Sequence, residues 1–339
     1  MLIIGMLLNE LIKDEKTIDK SLYASGSYWH YKNTRAILEI KKKGLKDFRG
    51  ISAGIGTSFA DNLTLDIRNE FNIKGRIVGK FFSLPILNKI FNGQLHITKG
   101  YLNAFLKNQA IVYQNNKNVH SLLNKYKFEN TTEFGCVQVF EYLGKKYACS
   151  YLLMAHRIEE LCNAFNLRNI KSYFEIGGGF GANIHFLITN FSNIKKILYL
   201  DAVPNIYVGT KYLEHHFGKK VKNYLQLKNL NKISFEKNDE LEILCIPPWL
   251  IEKVETEIDH FHNAASFVEM PKTVISNYVR FVNKFNTKEI SLISYDNYDP
   301  KTTFNPEELN SFFDNKLKIS WKNNLIEDYK KKLIYLINN

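Results

Sequence analysis

The strongest chemical signal in the chain is Glu175-Ile176-Gly177-Gly178-Gly179-Phe180-Gly181. Glycine takes the dihedrals of a sharp turn and lets a backbone approach a ligand with no Cβ in the way. Gly177 suits the turn and Gly179 the close approach. Gly181 suits tight packing of a following helix on the preceding strand, and Gly178 completes the cradle. Asp201 closes Tyr199-Leu200-Asp201, 20 residues beyond Gly181. A carboxylate there can accept two hydrogen bonds from the vicinal hydroxyls of a ribose. Together these residues describe a site for an adenosine-containing cofactor. The plain alternative is a glycine-rich turn with no ligand.

The spacing narrows the cofactor. Dinucleotide folds carry Gly-x-Gly-x-x-Gly and seat a pyrophosphate at the helix N-terminus. Here Gly179 and Gly181 are two apart, and Glu175 precedes the loop. A carboxylate at that point would repel a pyrophosphate but suits the amino group of a methionine moiety, which favours S-adenosylmethionine over NAD. Methyl transfer to a hydroxyl then needs a positioned base for an acceptor of pKa near ~15. Candidates must lie beyond the carboxyl ends of the strands. Asp259-His260-Phe261-His262-Asn263 is read as the end of a strand, with His260 and His262 on one side and Asp259, Phe261 and Asn263 on the other. His262, nearer the strand end, is the first candidate base. His260-x-His262 also has the look of a metal pair, but no third ligand follows at a telling spacing, so no metal is assigned. Ser266 and Glu269 lie on the loop beyond. Glu269 is read either as a base or sugar-hydroxyl ligand, or as an acid at a helix N-terminus. Asn263 could bind cofactor or acceptor, or end the strand as a turn residue. Pro247, with Ile246 and Trp249, is a candidate wall for adenine.

The elements that must position these residues change rhythm along the chain. From Leu2 to about Leu123 the pattern reads as helices and irregular loops, with another helix over about Ser150–Phe165. From Lys171 it alternates: strand Tyr173–Ile176, helix Gly181–Phe191, strand Lys196–Leu200, helix Pro204–Phe217, strand Leu241–Ile246, strand Ile258–Phe261, helix Met270–Asn283 and strand Glu289–Ser294. Such alternation implies βαβ units and a doubly wound, mostly parallel α/β sheet. The expected domains are a mainly helical region over 1–165 and a Rossmann-like domain over 166–339.

The glycine loop and Tyr199-Leu200-Asp201 resemble class I S-adenosylmethionine-dependent methyltransferases. A second stretch, Asn263-Ala264-Ala265-Ser266-Phe267-Val268-Glu269-Met270 followed by Tyr278, resembles a sugar O-methyltransferase family of bacterial surface-polysaccharide gene clusters. The resemblance is firm over roughly 130–295 and faint before it. It implies methyl transfer to a sugar hydroxyl in capsule, lipopolysaccharide or O-antigen biosynthesis, and strengthens a functional role for Ser266 and Glu269. His262 departs from the family pattern, where a smaller or apolar residue is expected. In the N-terminal region, Tyr28-Trp29-His30-Tyr31 with Arg35, and the glycine-rich stretch 48–56, are candidates for an acceptor lid, since aromatic faces stack on pyranose rings.

Composition bounds the partners. The chain has 339 residues, net charge +12, and only seven arginines among 46 basic residues. Nucleic-acid readers favour the planar fork of Arg, so the lysine-rich balance argues against a nucleic-acid partner and for a solvated surface. That surface could attract a phosphate-bearing sugar nucleotide or lipid-linked glycan, and leaves peripheral membrane contact open. Cys136, Cys149, Cys162 and Cys245 form no Cys-x-x-Cys pair and read as reduced thiols of a cytoplasmic protein. The apolar run Met1–Leu8 lacks a basic start and a cleavage site, and reads as a short helix packing on the body. An RNA methyltransferase and a non-catalytic cofactor-binding scaffold are the competing readings.

Overall fold

The computed structural model describes residues 2–46, 48–49, 117–136, 139–148, 150–295, 305–322 and 331–337. The chain divides into two compact units, Met1–Gly44 with Met154–Asn339, and Leu45–Leu153. The expected break near residue 165 does not coincide with this division, because the N-terminal helices belong with the sheet. These are α1 (Leu2–Glu15), α2 (Lys20–Tyr23) and α3 (Ser27–Lys43). Leu7, Leu8 and Leu11 of α1 and Ala36 and Ile40 of α3 are buried, at the spacing of one helical face.

The unit 45–153 contains α4 (Lys117–Lys125) and an antiparallel pair, β1 (Phe140–Tyr142) with β2 (Lys145–Tyr147). Arg49 is fully buried there and donates from Nη1 to the carbonyls of Thr131 (2.8 Å) and Glu133 (3.3 Å). The rest of the glycine-rich stretch, 50–56, lies outside the described residues. So does Cys149, whereas Cys245 is buried and Cys136 and Cys162 are half-buried free thiols.

Helix α5 (Ser150–Ala164) begins in that unit and leads, in the other, into β3 (Ser172–Ile176), α6 (Ala182–Asn190), β4 (Lys196–Leu200), α7 (Asn205–Phe217), β5 (Val221–Lys222), α8 (Tyr224–Leu227), β6 (Glu242–Ile246), β7 (His260–Ala264), α9 (Lys272–Lys284) and β8 (Glu289–Tyr295). Two strands the sequence reading did not anticipate follow, β9 (Lys318–Lys322) and β10 (Lys331–Ile337). The sheet order is β5-β6-β4-β3-β7-β8-β10-β9. Strands β5 to β8 pair in parallel, and β10 runs antiparallel to both β8 and β9. This is the Rossmann-like, doubly wound α/β domain expected, beside a mainly helical N-terminal region.

The central strands are covered on both faces, as parallel strands must be: every residue of β3 and β6 is buried. Helix α9 buries Val274, Ile275, Tyr278, Val279, Phe281 and Val282 and exposes Lys272, Arg280 and Lys284. Helix α1 lies along α7 and α8, where Lys228 Nζ meets Glu10 (2.7 Å) and Asp14 (2.8 Å). Among the described residues no helix is long and apolar enough to cross a membrane.

The chain builds outward from β3 to β4, β6 and β5 on one side, then returns to lay β7 and β8 on the other. The winding reverses between β3 and β7. In such sheets the crevice at that point, beyond the carboxyl ends of the strands, is where ligands bind.

Candidate active site at the reversal of the sheet

The glycine loop leaves β3 at this reversal. Gly177, Gly179 and Gly181 have φ of 77°, 62° and 86°, the left-handed region that glycine alone enters freely. Crowding adds to the demand at Gly177, where a Cβ would lie 2.2 Å from Ser266 Oγ. Strand β4 pins the loop from the other side. Gly177 N–H donates to Leu200 O (2.8 Å), Tyr199 Oη donates to Gly179 O (2.5 Å), and Gly179 N–H donates to Asp201 Oδ2 (2.8 Å).

Asp201 thus sits where the sequence placed it, but its carboxylate also holds the loop. Its Oδ1 accepts from Ala202 N–H at 2.7 Å. The Asn205 side chain adds a third bond; a carboxylate offers about four acceptor positions, so these bonds leave some capacity for a hydroxyl. Burial pushes the Asp201 carboxyl up to about 7, against the pull of the Gly179 and Ala202 N–H groups.

Glu175 lies beneath the loop, almost fully buried. A Cβ on Gly178 would fall 3.0 Å from its carboxyl carbon. Asn183 of α6 donates from Nδ2 to Glu175 Oε1 (3.2 Å) and to Tyr173 Oη (3.1 Å). Glu175 Oε2 has no hydrogen-bond partner. Burial raises this carboxyl to about 7, while the Asn183 amide and the Arg157 charge act the other way.

Strand β7 runs two or three residues further along the chain than expected, so His262 and Asn263 lie inside it. The alternation holds: His260 and His262 both stack on Tyr173, while Phe261 packs on Phe174. His262 is wholly buried, and burial drives its imidazole well below the ordinary histidine range. It sits within the sheet, not at its mouth.

Asn263 is tied into the end of the sheet. Its Nδ2 donates to Ile176 O (2.9 Å) and Ser266 Oγ (2.6 Å), and its Oδ1 accepts from Phe267 N–H (3.1 Å). Every donor of the amide is spent tying the end of β7 to the end of β3. Ser266 joins that tie, donating to Ile176 O at 3.2 Å and packing on Gly177. Both residues brace the glycine loop.

Glu269 follows on a 3₁₀ turn, Phe267–Glu269. Its Oε2 accepts from Trp29 Nε1 at 2.9 Å, which joins two separate expectations: the acid after β7 and the aromatic N-terminal stretch. Gly26, just before α3, packs so closely that a Cβ there would lie 1.9 Å from Glu269 O. Pro247 is buried directly after β6, beside fully buried Ile246. Trp249 turns its indole N–H to Tyr224 Oη, 3.3 Å away.

Sequence reasoning passed over Tyr199, Asn183 and Ser291. Tyr199 lies on β4 two residues before Asp201, an alternation that puts both on one side and would have flagged it. Asn183 and Ser291 carried no local signal.

No family model matches this chain, and no curated protein matches it. Among solved structures, it is similar to the mitomycin 7-O-methyltransferase MmcR at 9% identity and TM-score 0.38, over 56% of this chain and 57% of that one. It is similar to a SAM-dependent methyltransferase from Aquifex aeolicus at 15% identity and TM-score 0.37, over 54% and 90%. It is also similar to the small RNA methyltransferase HEN1 at 12% identity and TM-score 0.37, over 54% and 25%. The chain thus spans just over half of the mitomycin enzyme and a quarter of HEN1. Likeness at this level carries no functional conclusion, and the proposed function rests on the site itself.

Proposed function

We propose that this chain is an S-adenosylmethionine-dependent O-methyltransferase whose acceptor is a sugar hydroxyl of a surface-glycan precursor. The observation that carries the reading is a positive-φ glycine loop at the reversal of the sheet, with one buried carboxylate beneath it and a second on its flank. The residues fit the cofactor. Gly177, Gly178, Gly179 and Gly181 leave the backbone bare for it. The unpartnered Glu175 Oε2 suits its ammonium, and Asp201 retains some acceptor capacity for a ribose hydroxyl. Pro247 supplies an apolar wall on the adenine side.

When bound, the cofactor supplies an electrophilic methyl group on a good leaving group. The protein's own part is to align the acceptor oxygen and take its proton. We assign the proton to Glu269, on the loop beyond β7, in place of buried His262. Trp29 donates to the Glu269 carboxylate and lays an indole beside it. A carboxylate next to an aromatic face suits a pyranose, whose hydroxyls and C–H face need one of each. Asn263 and Ser266 act by holding the loop. A phosphate-bearing precursor, nucleotide- or lipid-linked, suits the net charge of +12. Free thiols suit a cytoplasmic location.

Incubation with tritium-labelled S-adenosylmethionine tests this reading. Label is expected in a cell-envelope extract and absent from total RNA. Transfer to RNA would establish the RNA methyltransferase reading, which the basic charge favours. Binding without transfer to either would leave a cofactor-binding scaffold.

A further inference from the structure

Asp201 is short of acceptors for a whole ribose diol, which offers two neighbouring hydroxyls. The carboxylate has about four acceptor positions, and Gly179 N–H, Ala202 N–H and the Asn205 side chain already bond to it. One ribose hydroxyl can be met there, and the second needs another partner. Most polar groups around the reversal of the sheet are already spent. His260 and His262 each place one ring nitrogen 2.8 Å from Ser291 Oγ. Asn263 and Ser266 hold the end of β3, and Trp29 Nε1 is taken by Glu269 Oε2.

Tyr278 is not spent. It lies on α9, 2% exposed, with its ring parallel to that of Phe267 and the two centroids 6.4 Å apart. Among the described residues its hydroxyl meets no hydrogen-bond partner, although a buried tyrosine usually has one. The trace of surface that Tyr278 keeps includes this hydroxyl, so it is not sealed among packed side chains. Three neighbours place it. Phe267 follows β7, and Asp201 and Tyr23 lie within electrostatic reach of the hydroxyl. Tyr23 closes α2, where Asn277 of α9 donates to Leu22 O at 3.3 Å. Tyr23 donates its own proton to Glu252, on the turn after β6. The Tyr278 hydroxyl thus stands among the segments that follow β4, β6 and β7. Burial, with Asp201 adding to it, holds the phenol well above the ordinary tyrosine range. It stays a neutral hydroxyl, able to donate one hydrogen bond and accept another.

We infer that Tyr278 is a second ribose contact, its hydroxyl meeting the sugar hydroxyl that Asp201 has no room for. A neutral phenol suits that place, since it can accept from a sugar hydroxyl or donate to it. A second carboxylate there would repel Asp201. Phenylalanine would fill the same space against Phe267 and leave the sugar hydroxyl without a partner, which is how a site built for a hydroxyl discriminates. The inference rests on the cofactor reading above and deepens it by dividing the diol between two elements, the end of β4 and α9.

Calorimetry on the full chain tests it with S-adenosylhomocysteine and its 2′-deoxy and 3′-deoxy analogues. Tyr278→Phe is expected to weaken S-adenosylhomocysteine about three- to tenfold, the loss of one neutral hydrogen bond. At least one of the analogues is expected to bind variant and wild type equally, because it lacks the hydroxyl that Tyr278 meets. Thermal unfolding of the variant without ligand is expected to keep the wild-type midpoint, since the hydroxyl holds nothing in the free protein. Equal weakening of all three ligands, or of none, overturns the Tyr278 contact and leaves the cofactor reading intact. A lowered midpoint would show the hydroxyl already engaged within the fold and overturns the contact as well. Failure of the wild type to bind S-adenosylhomocysteine removes the cofactor reading and this contact with it.

Discussion

The segments that follow β3 and β7 lie side by side at the carboxyl edge of the sheet, and they use polar side chains in opposite ways. Around the first, Glu175 and Asp201 are buried carboxylates with acceptor positions to spare. Along the second, Asn263 and Ser266 are spent on bonds to the backbone of β3 and to each other. One segment holds groups with acceptor capacity to spare, and the other holds groups that keep the first in place. A polar residue close to a site is therefore not evidence of contact until its hydrogen bonds have been counted.

The most severe way to break this arrangement is Gly177→Ala, which acts on both segments at once. The new Cβ meets Ser266 Oγ at 2.2 Å on a backbone with φ of 77°. A loss of roughly 2–5 kcal/mol of stability is expected from strain and overpacking combined, with no S-adenosylhomocysteine binding. Thermal unfolding and calorimetry check both.

The comparison sharpens with one substitution on each side. Asn263→Ala removes three buried hydrogen bonds and is expected to cost roughly 2–4 kcal/mol of folding stability. Its effect on ligand affinity should be secondary. Asp201→Ala is expected to cost roughly 1.5–3 kcal/mol of S-adenosylhomocysteine affinity, with a smaller effect on unfolding. Denaturant titration beside calorimetry separates the two, and the reverse ordering would dissolve the distinction.

The last test is of pH dependence. Both carboxyls rise to about 7 in the folded protein, from 4.5 for Glu175 and 3.8 for Asp201. The folded state therefore holds protons that the unfolded chain has released, and stability falls as pH rises from about 4 to about 7. Depressed His260 and His262 act in the opposite sense below their ordinary value of 6.5. The double variant Glu175→Gln, Asp201→Asn should lose the falling component relative to wild type, read by urea unfolding across that window. Identical slopes would show that these carboxyls do not titrate as described.

Much of the sheet was legible because its central strands are apolar runs closed by Gly, Asp or Pro, as at Gly177, Asp201 and Pro247. Strand β7 was shifted because Ile258 and Phe261 look like strand core, whereas pairing extends to Ala264. Glycine positions and the two acids were legible because backbone conformation and charge are properties of the residue itself. The commitments of Asn263 and Ser266 were not, because they depend on a carbonyl 87 or 90 residues away. The association of α1 to α3 with the sheet was hidden for the same reason: local periodicity shows an apolar face but not what covers it.

The fit of Gly26 against Glu269 has a practical corollary. A protease cut or deletion near residue 165, the natural place to trim for a minimal domain, would peel away the segment that grips the acid beyond β7. It would also bare the surfaces now shielded by Leu7, Leu8 and Leu11, leaving a fragment prone to aggregation. A shortened version that stays in solution must keep its first 44 residues.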